Sequence, residues 1–370
     1  MPRRSPARLS PKAILGVPFL PPVAVSGAGN RLRGLVGRAQ ARMAPPPVRI
    51  LEGIFGMLEH RVLVALCEAG VPDALTRPVE PVALAQTLGV DADGLERLLR
   101  FGATRGWLRI DGRGRVRPTA VTKFLRRDHP GGWRAWVDFA GGDEIVAAVA
   151  SLRVAVTPTD SFAAANGRPF FEWMAAHPDR WVVFDDAMAA GGRMHALTLG
   201  AALDWSACRR VCDVGGGTGH LMAALLDLQP HLTGAVFDLP DVVARAVHHD
   251  RLTAIAGDAL VEIPSGFDTY LLVNVLHDWN DDGATQILDC VAGTGSIGAH
   301  IIVVDSERTA VPRDDFATSA DVLMAALTSG GRERTTAEFA EIGRRCGLRL
   351  ERTVPLASGD VAHEFVTSRP

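Results

Sequence analysis

Three glycines at alternate positions, Gly215, Gly217 and Gly219, follow the apolar run Val211-Cys212-Asp213-Val214. The run reads as a buried parallel strand, and Leu221, Ala224, Leu225 and Leu228 recur at helical spacing behind the glycines. Such a strand, turn and helix suit close approach of a ligand: glycine reaches positive φ without a Cβ clash, and the ligand lies on the main chain at the positive end of the helix. Two acids then close successive predicted strands. Asp238, after Ala235-Val236-Phe237, is suited to accept hydrogen bonds from both hydroxyls of a ribose, and Asp258, after Ala256-Gly257, can accept from the amino group of an adenine. Each acid alone could also cap the helix that follows it. Their order after the glycines puts the site at the carboxyl edge of a doubly wound sheet, and His277, just past the predicted strand 270–275, falls in the same crevice.

The spacing argues against a dinucleotide. A G-x-G-x-x-G turn would carry glycine where this chain has His220, with the last glycine one residue early. The G-x-G-x-G form resembles the first motif of S-adenosylmethionine-dependent methyltransferases. Leu276-His277-Asp278-Trp279 is similar to the L-H-D-W signature of the plant caffeate-type and bacterial polyketide-type small-molecule O-methyltransferases. Gly330-Gly331-Arg332-Glu333-Arg334-Thr335, followed by Glu338-Phe339, is similar to the G-G-K-E-R-T…E-F run of the same family. The resemblance runs from about Pro45 onward.

That resemblance implies an α/β class I methyltransferase fold: a doubly wound seven-stranded sheet, its last strand inserted antiparallel, behind an N-terminal all-helical, winged-helix dimerisation domain. It implies S-adenosylmethionine as cofactor, held by Gly215, Gly217, Gly219, Asp238, Leu239, Asp258 and Ala259. It makes His277 the general base, flanked by Glu333 and Asp305, and puts Met188, Met324 and Thr328 on the acceptor pocket, with Phe170, Phe171 and Trp173 nearby. Methionines and aromatics at helical spacing also serve as ordinary core, and Asp305 could be a strand-end cap. Three positions depart from the family pattern. Asp305 stands where many relatives have glutamate, which shifts weight to Glu333; Val273 replaces a lysine of plant members; Ala259 replaces a methionine or phenylalanine, which loosens the adenine pocket.

The chemistry fits a histidine. A phenol, with a reference pKa near ~10, is a poor nucleophile at neutral pH. An imidazole with an unperturbed pKa of about 6.5 can take its proton, contributing roughly 10²–10⁴-fold, and alignment of the reacting atoms supplies much of the rest. No metal is required. Relatives of this fold that hydroxylate or decarboxylate with the same cofactor are the alternative reaction.

Composition bounds the rest. The chain has 370 residues, is 47% hydrophobic and carries a net charge of −3, enough for two domains with sizeable cores. Residues 1–50 hold Arg3, Arg4, Arg8, Lys12, Arg31, Arg33, Arg38, Arg42 and Arg49 and no acid. Prolines at 18, 21 and 22 break the apolar run that would make this a signal peptide. Residues 1–44 are instead expected to be a basic disordered extension, or to precede a true start at Met43. Nothing approaches the ~18 consecutive apolar residues of a membrane span. Five scattered cysteines without a C-x-x-C pair fit neither a disulfide framework nor a zinc site, and point to a reducing cytoplasm.

Helical stripes from Ile50, a helix opening at Asp91, and a short hairpin around Asp111-Gly112-Arg113-Gly114 give a winged-helix pattern over 45–135. A DNA-reading role is the alternative for such a module, but the mixed charges Asp91, Asp93, Glu96, Arg97 and Arg100 offer phosphates little. The expected partners are a hydroxylated aromatic small molecule and a second copy of the chain, without nucleic acid or membrane. A helical linker with the acceptor segment spans 136–206, and the cofactor-binding domain 207–370.

Overall fold

The computed structural model describes residues 10–157, 159–294, 298–312 and 315–367. Among these, two short strands, β1 (Leu108–Ile110) and β2 (Val116–Pro118), pair antiparallel as the wing. Seven more strands form one sheet: β3 (Arg210–Val214), β4 (Thr233–Asp238), β5 (Leu252–Ala256), β6 (Thr269–Val273), β7 (His300–Asp305), β8 (Leu348–Pro355) and β9 (Val361–Thr367). Their spatial order is β5-β4-β3-β6-β7-β9-β8. The five strands β3 to β7 are parallel, and β9 lies antiparallel between β7 and β8, as the resemblance implies.

Burial on both faces explains the apolar strand runs, because successive side chains alternate across the sheet. Tyr270, Leu272, Ile301 and Val303 join Ile287, Leu288, Phe339 and Ile342 on one face. Leu271, Ile302 and Val304 join Leu199, Leu221 and Leu225 on the other. The helices behind these contacts begin at clear stop-start signals. Asn280 Oδ1 accepts from Gly283 N at 2.9 Å to cap Asp281–Ala292, and Thr335 and Glu338 form a capping box on Thr336–Arg345.

The N-terminal part folds as helices Pro46–Glu68, Val71–Ala74, Pro81–Leu88 and Ala92–Thr104 around a core of Leu66, Leu75, Leu84, Leu95, Leu99 and Val116. Arg100 on the candidate recognition helix is paired with Glu96 at 3.8 Å. The first half of Pro46–Glu68 leaves Ile50, Leu51, Ile54, Phe55, Met57 and Leu58 exposed, an apolar face that the described residues do not cover.

The expected disordered extension is corrected over its described part. Residues 11–15 and 23–43 are helical, with the breaking prolines 18, 21 and 22 falling between them. Ile14 is buried, and its carbonyl accepts from Trp133 Nε1 at 3.0 Å; Val23–Met43 buries none of its residues. Arg3, Arg4 and Arg8 lie outside the described residues. No helix among the described residues is long and apolar enough to cross a membrane.

Candidate active site

The carboxyl ends of β3, β4, β6 and β7 converge on the site. After β3 the chain turns through Gly215, Gly217 and Gly219, with φ of 67°, 60° and 78°. Asp238, at the end of β4, accepts from Gly217 N at 2.8 Å and from Leu239 N at 2.7 Å, so one carboxylate ties the glycine turn to its own loop. Burial raises its pKa above the ordinary value. A Cβ on Gly217 would meet nothing within 4 Å, so the turn presents bare backbone to open space. That cradle and the adjoining carboxylate fit an adenosyl ligand carrying ribose hydroxyls.

No helix directly follows Asp258, which closes a turn instead: its Oδ1 accepts from Leu260 N at 2.9 Å. It is exposed at the rim of β5, with Ala259 half-buried behind it against the sheet core. Asp213, in β3, draws no attention in the sequence reading. It is buried, one of its oxygens lacks a partner, and a Cβ on Gly216 would stand 2.6 Å from it. Burial, helped by Asp238, pushes its carboxyl up to about 8.

β6 is followed by Asn274, the only non-glycine at positive φ among the described residues (54°), which turns the chain into the short helix Leu276–Asp278. His277 therefore points into the crevice with Nδ1 3.0 Å from Glu333 Oε1 and 3.9 Å from Asp305 Oδ1, while Nε2 lies 3.7 Å from Asp278 Oδ1. A neutral ring that donates Nδ1–H to Glu333 would leave Nε2 unprotonated, beside Asp278. Glu333 makes the direct bond and the shorter Asp305 does not. Both oxygens of Asp305 are buried without a hydrogen-bond partner.

Burial pulls the His277 imidazolium down, but Asp278, Glu333 and Asp305 together outweigh it and push the group up to about 10. Burial in turn raises Asp278 to about 6 and Asp305 well above its usual range, each opposed by His277. The carboxylates around it thus favour a charged ring.

The loop carrying Glu333 is clamped. Gly331 lies against the His277 and Asp278 backbone, and its N–H donates to Thr328 Oγ1 at 3.0 Å. Thr328 donates in turn to Met324 O at 2.8 Å, so a hydroxyl expected on the acceptor pocket is engaged within the chain. Arg334, fully buried, donates to Leu276 O and Trp279 O, both at 2.7 Å, and pins the histidine turn from behind. Its place inside the G-G-R-E-R-T run was the available signal for this role.

Met188 joins Phe170, Phe171 and Trp173 in one apolar cluster with Phe139, Phe162 and Phe184, whereas Met324 is buried on Phe316–Leu327 beside Thr328. Phe171 stacks on Trp279 at 6.2 Å between centroids and 14° between planes, joining the aromatic cluster to the histidine turn. No group of three or more His, Cys, Asp or Glu among the described residues could hold a metal.

A class I sheet with its glycine turn, ribose-type acid and crevice histidine defines an S-adenosylmethionine-dependent methyltransferase. Residues 144–349 match the O-methyltransferase domain and residues 51–128 the O-methyltransferase dimerisation domain, and the chain belongs to that family. It is 32% identical over 331 residues to the mitomycin biosynthesis 6-O-methyltransferase of Streptomyces lavendulae, covering 83% of this chain and 90% of the relative. It is 33% identical over 287 residues to aclacinomycin 10-hydroxylase of Streptomyces purpurascens, covering 73% and 76%. It also superposes, at TM-score 0.69 and 28% identity over 84% of this chain and 96% of the other, on an O-methyltransferase from neocarzinostatin biosynthesis in complex with S-adenosylmethionine and 2-hydroxy-5-methyl naphthoic acid.

Proposed function

We propose that this O-methyltransferase acts on a hydroxyl of an aromatic or polyketide-like small molecule, with His277 as general base. The observation that carries this reading is the orientation of the ring: Nδ1 held by Glu333 at 3.0 Å, Nε2 left for the acceptor. Glu333, and Asp305 at longer range, stabilise the imidazolium formed when the hydroxyl gives up its proton, while Asp278 beside Nε2 favours the same charge. Asp238, the glycine turn and Leu239 would hold the cofactor. When bound, it supplies an electrophilic methyl group for in-line transfer to oxygen. The chain's own contribution is to hold the acceptor oxygen in line and to receive its proton. The aromatic cluster that meets Trp279 through Phe171 supports a flat, unsaturated acceptor. The 6-O-methyltransferase of mitomycin biosynthesis and the structure that holds 2-hydroxy-5-methyl naphthoic acid support the same class.

A homodimer in a reducing cytoplasm completes the proposal. The exposed apolar face of Pro46–Glu68 lies partly within the dimerisation-domain match and is what a second copy would cover. Similarity to a hydroxylase keeps a second reading open, in which the cofactor assists hydroxylation. One experiment separates the two. With S-adenosylmethionine carrying a labelled methyl group and a panel of phenols and hydroxynaphthoates, labelled product supports methylation; oxygenated product without label overturns it.

A further inference from the structure

Glu333 sits between two arginines that reach the same carboxylate. Arg332 NH2 donates to Asp281 Oδ2 at 2.8 Å and Arg334 Nε to Asp281 Oδ1 at 3.0 Å. The backbone is extended at Arg334, which bridges Glu307, so alternate side chains face one way and the side chain between them faces the other. Gripping residues 332 and 334 thus aims residue 333 away from Asp281 and onto His277. Asp281 opens the helix that directly follows the histidine turn, so both halves of the pair are fixed to one short segment. Arg334 adds its bonds to the carbonyls of Leu276 and Trp279 on either side of the ring.

We propose that Asp281 is a positioning residue for catalysis, setting the register of Glu333 against His277 through Arg332 and Arg334. The inference rests on the reading of His277 as the base. Asp281 and Arg332 are about two-fifths exposed, and exposed ion pairs add little to folding stability. The pair's value therefore lies in geometry. The charged and titratable groups around the ring are Asp278 on its own turn, Asp305 at the end of β7, and Glu333 with Arg334 on the clamped loop. Loosening Glu333 alone removes a hydrogen bond that favours the charged ring, so the ring must become less basic.

The test reads that ring directly. In the full chain with isotopically labelled histidine, the His277 resonance is assigned by its loss in His277→Gln and titrated by NMR. Asp281→Ala is expected to lower the ring's midpoint by about one pH unit, with Asp281→Glu restoring most of it and Arg332→Ala giving a smaller shift because Arg334 remains. Labelled-methyl turnover of a hydroxynaphthoate should fall about tenfold in kcat with KM within about twofold. Adding Arg332→Ala to Asp281→Ala should cost nothing more. An unmoved His277 midpoint in a folded Asp281→Ala protein overturns the proposal, as does a loss borne by KM and cofactor affinity. Full turnover by His277→Gln would instead defeat the base assignment and leave the ring titration to judge the register.

Discussion

Replacing Gly331 with alanine probes the catalytic turn at its tightest point. The backbone there is outside the left-handed region, so the penalty is one of space. An alanine Cβ would fall inside contact distance of Thr328 Oγ1 and the His277 carbonyl oxygen, and 2.8 Å from the Asp278 carbonyl carbon. Carbon pairs settle near 3.5 Å, so the histidine turn or the Glu333 loop must retreat by at least about 0.7 Å. Forcing a methyl into a packed site costs about 1–3 kcal/mol. The larger effect falls on chemistry, since a misplacement of about 1 Å costs up to about a hundredfold in rate. Gly331→Ala should therefore fold, lose some thermal stability and retain between about a tenth and a hundredth of wild-type kcat, with cofactor affinity by calorimetry unchanged within about twofold. A stable variant with kcat within twofold of wild type would refute the argument that contact between this loop and the histidine turn sets the geometry.

Removal of the base in His277→Ala should cut kcat by about 10²-fold or more and leave cofactor binding nearly intact; weak binding with normal turnover would contradict that. Loss of the charged acceptor of two backbone N–H groups in Asp238→Ala should weaken S-adenosylmethionine binding by about ten- to a hundredfold, from about 1.5–3 kcal/mol for a charge-assisted bond. An unchanged Kd would remove Asp238 from the cofactor site. The pH dependences of activity and stability should run in opposite directions. The folded His277 midpoint of about 10 lies above the unfolded value near 6.5, so its contribution to stability is complete below ~6.5 and is lost as pH rises through about 10. A base must be neutral, so kcat/KM should climb over the same interval. Urea unfolding and methyl-transfer rates measured from pH 6 to 10 check both, and parallel decline of the two would break the assignment.

The parts of this site carried by neighbours in sequence were readable in advance. The glycine turn and Asp238 occupy fixed places on a strand, loop and helix unit, and His277 sits in a contiguous tetrapeptide. The seven-stranded sheet with its last strand inserted antiparallel followed from the same resemblance. Long-range pairings were not readable. Arg332 and Arg334 are charges in a loop and Asp281 opens a helix, places that sequence alone reads as solvated, yet Arg334 is among the most buried side chains of the described residues. Thr328 shows the converse: its type suited a pocket wall, while its hydroxyl closes a turn between Met324 and Gly331. Asp213 escaped attention because an acid in an apolar strand has no periodic signature. The basic stretch 1–44 was expected to be disordered, whereas residues 11–15 and 23–43 are helical with the prolines between them.

The insertion of β9 between β7 and β8 dictates an order of events in the cell. Asp305 closes β7, and the next residue, Ser306, donates to Asp360 Oδ1 at 2.7 Å, at the entrance to β9. Until residues 361–367 have left the ribosome, β7 has an open edge where its antiparallel neighbour belongs. The cofactor half, β3 to β6, can assemble earlier, as growing chains fold from the N-terminal side. A nascent chain of this enzyme would then be able to cradle its ligand before it could align the groups around His277, and catalytic competence would wait for β9.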